Sequence, residues 1–291
     1  MRANESVIID AGHFRIEGRS RAGHETWFRI REWNLGFDIG RCPDALVSVP
    51  QIFISHAHLD HSVGIPFYAG QRHLQRLSGG QIYVPAETAA DVRELLAVHG
   101  RLTGGAFDGI EIVGLAAGDV VRVQKTHEVR VHRATHRVPA NAYEVMEIRH
   151  RLKEGLENEP EPAIAARARA GEAVSDEIKI PLLFYTGDTD REIFQQNEAL
   201  FRAEVLLIEC SFLIDGHQER AARYRHIHFD DLVEVAGRFE NRLIVLTHFS
   251  RRYSSREIRE EIGRRCPAVL RDRIRLLLDD PHQRIEAVDA I

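Results

Sequence analysis

Gln51-Ile52-Phe53-Ile54-Ser55-His56-Ala57-His58-Leu59-Asp60-His61-Ser62-Val63-Gly64 is a short apolar strand that breaks abruptly into a loop crowded with metal-ligand side chains. Neutral imidazole nitrogens and carboxylate oxygens are the usual ligands of zinc and related divalent ions. His56, His58, Asp60 and His61 place four such donors on one tight loop, enough to reach two adjacent ions rather than one. A solvated histidine cluster would need a separate polar partner for every buried ring, and Ser62-Val63-Gly64 instead signals a tight turn into a helix. One loop cannot complete two coordination shells. Further along the chain, His136 follows the segment HRAT, Asp188 closes LLFYTGD and His248 closes IVLTH, each a lone ligand type at the end of an apolar strand. Taken singly, each reads as a capping or core-edge residue. Together with the loop they make a dinuclear site.

The surrounding pattern predicts how these donors are displayed. Short β-branched or aromatic runs at 6–10, 25–30, 35–39 and 51–55 read as strands. Helical patterns follow at about 63–78 and at 86–100, the latter ending at Gly100. A second set of strands is expected at 120–124, 128–135, 182–188, 205–212, 242–249 and 273–280, with helices at 229–238 and 254–264. Two sets of strands, each followed by helices, suit an α/β chain folded as a four-layer αββα sandwich, with two central sheets and helices outside. The whole chain, 1–291, reads as a single domain. Segment 150–178 is charged, contains prolines and then turns Ala/Arg-rich, so it is expected to be an exposed arm with a short helix.

The His-x-His-x-Asp-His loop, the later His136, Tyr185-Thr186-Gly187-Asp188 and Thr247-His248 resemble the metallo-β-lactamase superfamily. More narrowly, the chain resembles the short form of ribonuclease Z, the tRNA 3′-processing endonuclease, and most of all its plant-type branch. That likeness rests on Phe37 to Pro43, on Glu209-Cys210-Ser211-Phe212, on Arg225-His226-Ile227-His228 and on His248-Phe249-Ser250-Arg251-Arg252-Tyr253. Leu59, where the bacterial type has Gly, fits the same branch. The resemblance covers residues 17 to 262 and implies the metallo-β-lactamase fold. It assigns His56, His58 and His136 to one metal, Asp60, His61 and His248 to the other, and Asp188 to a bridge between them. It implies two Zn²⁺ ions, with Mn²⁺ or Fe²⁺ as alternatives, and an endoribonuclease that removes the 3′ trailer of precursor tRNA through a metal-bridging hydroxide. Asp60 would also orient that nucleophile, and His226 would protonate the leaving oxygen with Glu209 orienting it. Ser250, Arg252 and His228 are candidates for substrate contact, and Asp38 for tying down the metal loop. A homodimer is also implied, the arm of one subunit serving the site of the other.

Bulk properties bound the alternatives. Apolar content of 44%, charged content of 29% and the lack of a long apolar run fit a soluble enzyme and argue against a membrane span. The formal charge of −5 excludes polyanion binding through bulk charge. Glu154, Glu157, Glu159 and Glu161 oppose Arg149, Arg151, Lys153, Arg167 and Arg169 in and beside the arm, so its hold on tRNA is in question. A small-molecule phosphodiesterase is therefore the alternative reading, and a non-catalytic RNA-binding relative a third. Cys42, Cys210 and Cys266 are widely spaced and odd in number, and no basic-then-apolar leader is visible. A cytoplasmic home is expected. The remaining histidines, 13, 24, 73, 99, 127, 132, 150, 217 and 282, read as surface or structural.

Overall fold

The computed structural model of the protein describes residues 6–107, 109–157 and 159–278, so His282 and residues 279–280 of the last expected strand lie outside it. Two seven-stranded sheets follow chain order. The first takes β1 (Val7–Asp10), β2 (Arg15–Arg21), β3 (Glu25–Ile30), β4 (Leu35–Ile39), β5 (Gln51–Phe53), β6 (Gly80–Pro85) and β7 (Ile110–Leu115) side by side. The second takes β8 (Val120–Gln124), β9 (His127–Arg133), β10 (Asn141–Leu152), β11 (Ser175–Tyr185), β12 (Val205–Glu209), β13 (Leu243–Thr247) and β14 (Ile274–Leu276). In each sheet the first four strands form an antiparallel meander and the last four run parallel.

The alternation of side chains along the strands makes the layers. In β12, Val205 and Leu207 face the other sheet, where they pack with Phe28, Phe37, Phe53, Tyr143 and Tyr185. Leu206 and Ile208 point the opposite way, onto Phe229, Leu232, Ile258 and Ile262 of the outer helices. Likewise Phe53 of β5 enters the space between the sheets, while Ile52 packs outward with Ile65, Tyr68 and Leu96. Strands buried on both faces read as unbroken apolar runs, and this is the expected four-layer sandwich.

Several expectations need correction. The helix placed at 63–78 is a turn of helix at Leu59–Ser62 followed by Ile65–Leu74. The helix expected to end at Gly100 runs through it, from Ala89 to Thr103, and stops at Gly104 in the left-handed region. The arm is less irregular than its composition suggests. β10 and β11 run on into it as a paired ribbon to Leu152 and from Ser175, with the helix Glu161–Arg169 beyond. Some of its charges pair with one another, Arg167 with Glu159 and Glu172, and Lys153 with Asp176.

Candidate metal centre

His56, His58, Asp60 and His61 follow β5, His136 follows β9, Asp188 follows β11 and His248 follows β13. Chains leaving the carboxyl ends of parallel strands emerge on one edge of the sheets, where they can turn toward one another. Two contacts lock the edges of the two sheets together. His56 forms a bridge with Ala140, and the Asn141 N–H donates to the Ser55 carbonyl at 2.8 Å. Gly187, at φ +58°, lets the Asp188 loop close on this strand end: a Cβ there would lie 2.4 Å from the Ser55 Cβ.

The ligand atoms gather in two groups, and Asp188 and His248 form a third set with His226. His56 Nε2 lies 3.0 Å from His58 Nδ1, which lies 3.2 Å from His136 Nε2. In the second group His61 Nε2 is 3.3 Å from His248 Nε2, and Asp60 Oδ2 is 3.6 and 3.4 Å from these two nitrogens. Asp188 stands between the groups. Its Oδ2 is 3.7 Å from His56 Nε2 and 3.4 Å from His248 Nε2, and its Oδ1 is 3.4 Å from His61 Nε2.

The donor set fits metal ions for a specific reason. His61 Nδ1 donates to Asp38 Oδ2 at 2.6 Å and His136 Nδ1 to the Arg225 carbonyl at 2.9 Å. Both partners only accept, so in the neutral rings the proton is on Nδ1 and the Nε2 lone pair faces the cluster. Lone pairs and a carboxylate crowded within hydrogen-bond distance repel one another unless a cation sits among them. Electrostatics favour neutral rings at His56, His58 and His136, and at His61 a proton that a metal ion would displace. Burial, with the neighbouring imidazoles His61, His136 and His58, pushes His56 well below its ordinary pKa, and burial also lowers His58 and His136. Burial alone would raise Asp60, but the His248 hydrogen bond and the nearby His61 hold it down at about 2. Burial opposes the charged form of His61 too, and Asp188 with Asp38 overcomes it and raises the ring's pKa well above normal.

Asp38 organises the loop. Held at φ +52°, it accepts from the Ser55 N–H at 2.6 Å, the Ser55 hydroxyl at 2.9 Å, the Tyr185 hydroxyl and His61. A non-glycine backbone held in the left-handed region costs of order 1–3 kcal/mol, and such costs concentrate at functional sites.

Beside the second group, Glu209 Oε1 accepts from His226 Nδ1 at 2.8 Å and from the Thr189 N–H at 2.9 Å. Burial disfavours a charged His226, but Glu209 raises its pKa to about 9. Ser211 joins this pair to the cluster: its hydroxyl donates to Glu209 Oε2 at 2.6 Å and accepts from His248 Nδ1 at 2.9 Å. Ser250 and Arg252 line a cavity of about 390 Å³ that His226 also lines. His228 is a correction. It caps the helix Phe229–Glu234, its Nδ1 accepting from the Asp230 N–H and its Nε2 donating to the Ile214 carbonyl, so neither ring nitrogen is available to a substrate.

Sequence reasoning passed over Ser55, Ser211, the Arg225 carbonyl and Gly23, whose N–H donates to Asp60 Oδ2 at 2.7 Å. The only signal for the two serines was position, one residue before His56 and two after Glu209. Backbone groups leave no signal of their own.

Residues 38–249 match the family described as the beta-lactamase superfamily domain. The chain is 34% identical over 257 residues to two proteins of Arabidopsis thaliana, tRNase Z TRZ1 and the chloroplastic tRNase Z TRZ2. The alignments span 87% of this chain and 91% and 72% of those proteins. Among solved structures, the short form of human tRNase Z superposes with a TM-score of 0.51 at 19% identity, over 82% of this chain and 86% of that one. The metallo-beta-lactamase fold protein YhfI of Bacillus subtilis superposes at 0.55 with 14% identity, over 89% and 92%.

Proposed function

Since this chain belongs to the metallo-β-lactamase superfamily and, within it, to the tRNase Z family, we propose that it is a metal-dependent endoribonuclease that removes the 3′ trailer of precursor tRNA. The observation that carries the reading is the Glu209–His226 pair set against the ligand cluster, because an RNA 3′ oxygen is a poor leaving group and needs a proton. His56, His58 and His136 would hold one divalent ion, and Asp60, His61 and His248 the other, with Asp188 between them. Nitrogen-rich ligation suits Zn²⁺, and the half with Asp60 also suits Mn²⁺ or Fe²⁺. Bound there, two such ions would supply Lewis-acid activation of water and offset the charge that builds at phosphorus.

The chain's own groups do the rest. Asp60, fixed by the Gly23 N–H, presents a carboxylate oxygen that orients an attacking water. His226, with Nδ1 engaged by Glu209, carries its transferable proton on Nε2 and delivers it to the departing 3′ oxygen. Arg252 and Ser250, in the cavity beside it, take the flanking phosphate.

A homodimer is part of the proposal, supported by an exposed apolar row over the metal loop and the next helix: Leu59, Val63, Phe67 and Leu74, the first and last 73% exposed. Sedimentation that returns a monomer at micromolar concentration would overturn it. No described helix is long and apolar enough to cross a membrane. The free, buried Cys42, Cys210 and Cys266 support a reducing compartment, the cytoplasm or, as the name of one plant relative has it, the chloroplast.

The decisive experiment is cleavage of an end-labelled precursor tRNA by Zn²⁺- or Mn²⁺-loaded protein beside Asp60→Ala and His226→Ala. A single cut at the 3′ end of the tRNA body, absent in Asp60→Ala, is the expected result. An intact precursor with continuing hydrolysis of bis(p-nitrophenyl) phosphate would replace this reading with a small-molecule phosphodiesterase.

A further inference from the structure

The net charge of −5 hides a local concentration of cations. Arg220, Arg251 and Arg252 line the cavity that His226 enters, and among the described residues none of the three has a carboxylate within 4 Å. These arginines come from two separate segments, the helix Gln218–Tyr224 and the loop after His248. In the arm, by contrast, Arg167 of the helix Glu161–Arg169 is held by Glu159 and Glu172.

Tyr224 forms part of the same cavity wall. It is 37% exposed, closes its helix and belongs to none of the three apolar clusters that make the core. The guanidinium of Arg137 lies 5.8 Å from its ring centroid and that of Arg223 lies 5.9 Å away. The next residue, Arg225, sits at φ +54° and turns the chain sharply between Tyr224 and His226. An exposed aromatic ring flanked by arginines, beside unpaired cations, is the usual make-up of a platform for unpaired nucleobases.

The chemistry says which base. The oxygen that His226 protonates belongs to the nucleotide on the 5′ side of the cut, so that nucleotide must lie on the His226 side of the centre, where Tyr224 stands. We propose that Tyr224 stacks on the base of the nucleotide whose 3′ oxygen is released, while Arg220 and Arg252 hold the phosphate that precedes it. This rests on the reading of the chain as a ribonuclease. Tyr224 is thus a positioning residue that sets where the strand is cut, and any base satisfies it, because every base has a stackable face.

The test uses the Zn²⁺-loaded protein and a short single-stranded RNA ending in a 3′-hydroxyl 2-aminopurine nucleotide, whose fluorescence falls when the base stacks. Wild type and Tyr224→Phe quench it, and Tyr224→Ala does not. On precursor tRNA, Tyr224→Ala raises KM by about 5- to 150-fold, the loss expected for one stacked base, with a much smaller change in kcat. Tyr224→Phe stays within about threefold of wild type, since the ring face is kept. The metal content of each variant reports an intact centre. Equal quenching by wild type and Tyr224→Ala, or no quenching by a wild type that cleaves precursor, overturns the proposal. Quenching that depends on Tyr224 in a protein that leaves precursor tRNA uncut upholds the platform and overturns the tRNA-processing reading instead.

Discussion

His136, in the half of the centre that also takes His56 and His58, is oriented by a neutral backbone carbonyl, that of Arg225. His61, in the half with Asp60 and His248, is oriented by the Asp38 carboxylate. A carboxylate behind an imidazole makes it a more basic ligand, and Asp60 adds a second negative group to the same half. That half is also the one wired to the proposed proton donor, through His248, Ser211, Glu209 and His226 in turn. The difference teaches that the seven proposed ligands are not interchangeable. One half is a cradle of three imidazoles that only the shared Asp188 makes anionic. The other carries Asp60 as well and shares its hydrogen bonds with the Glu209–His226 pair.

The contrast can be tested at three points. Cutting the relay at its end has the largest effect: His226→Ala slows trailer removal by about 10²–10⁴-fold in single-turnover assays, the ordinary worth of a general acid. Hydrolysis of bis(p-nitrophenyl) phosphate falls far less, because p-nitrophenolate departs without a proton. Equal losses on both substrates would make His226 part of the metal scaffold rather than the acid. Next, Asp38→Asn weakens ion binding in the half with Asp60 by about 10–100-fold, so dialysis against a chelator leaves roughly one ion per chain instead of two. Emission spectroscopy reads this directly, and equal loss from both halves would erase the distinction. The smallest effect is Arg225→Gly, which keeps the carbonyl that orients His136 and suits the left-handed backbone at φ +54°. Bis(p-nitrophenyl) phosphate hydrolysis then stays within about threefold of wild type. A loss beyond tenfold would show that the side chain, not the carbonyl, supports that half.

Much of the centre was legible because its largest part is local. His56 to His61 lie on one turn, and their density says metal whatever the fold. His136, Asp188 and His248 were legible only as strand ends that needed a common purpose, and His226 and Glu209 only through the family resemblance. Elements went unseen where the alternation was masked. β2, RIEGRSR, carries four charges and a glycine yet lies paired between β1 and β3. β6, GQIYVP, is bracketed by turn residues yet lies buried between β5 and β7. His228 was misjudged because a capping histidine and a substrate-facing one have the same spacing from His226.

The sequence by itself determined the kind of chemistry and the layered architecture, since ligand identity and apolar periodicity are properties of the chain read in order. Only the tertiary structure decided what each group faces. The Arg225 carbonyl is aimed at His136 from 89 positions away, and the Gly23 N–H at Asp60 from 37. Arg220 and Arg252, from separate segments, share a cavity with Tyr224 in a chain whose total charge is negative. Backbone groups are the same in every residue and fields depend on distance in space, so neither can be read until the fold sets the distances.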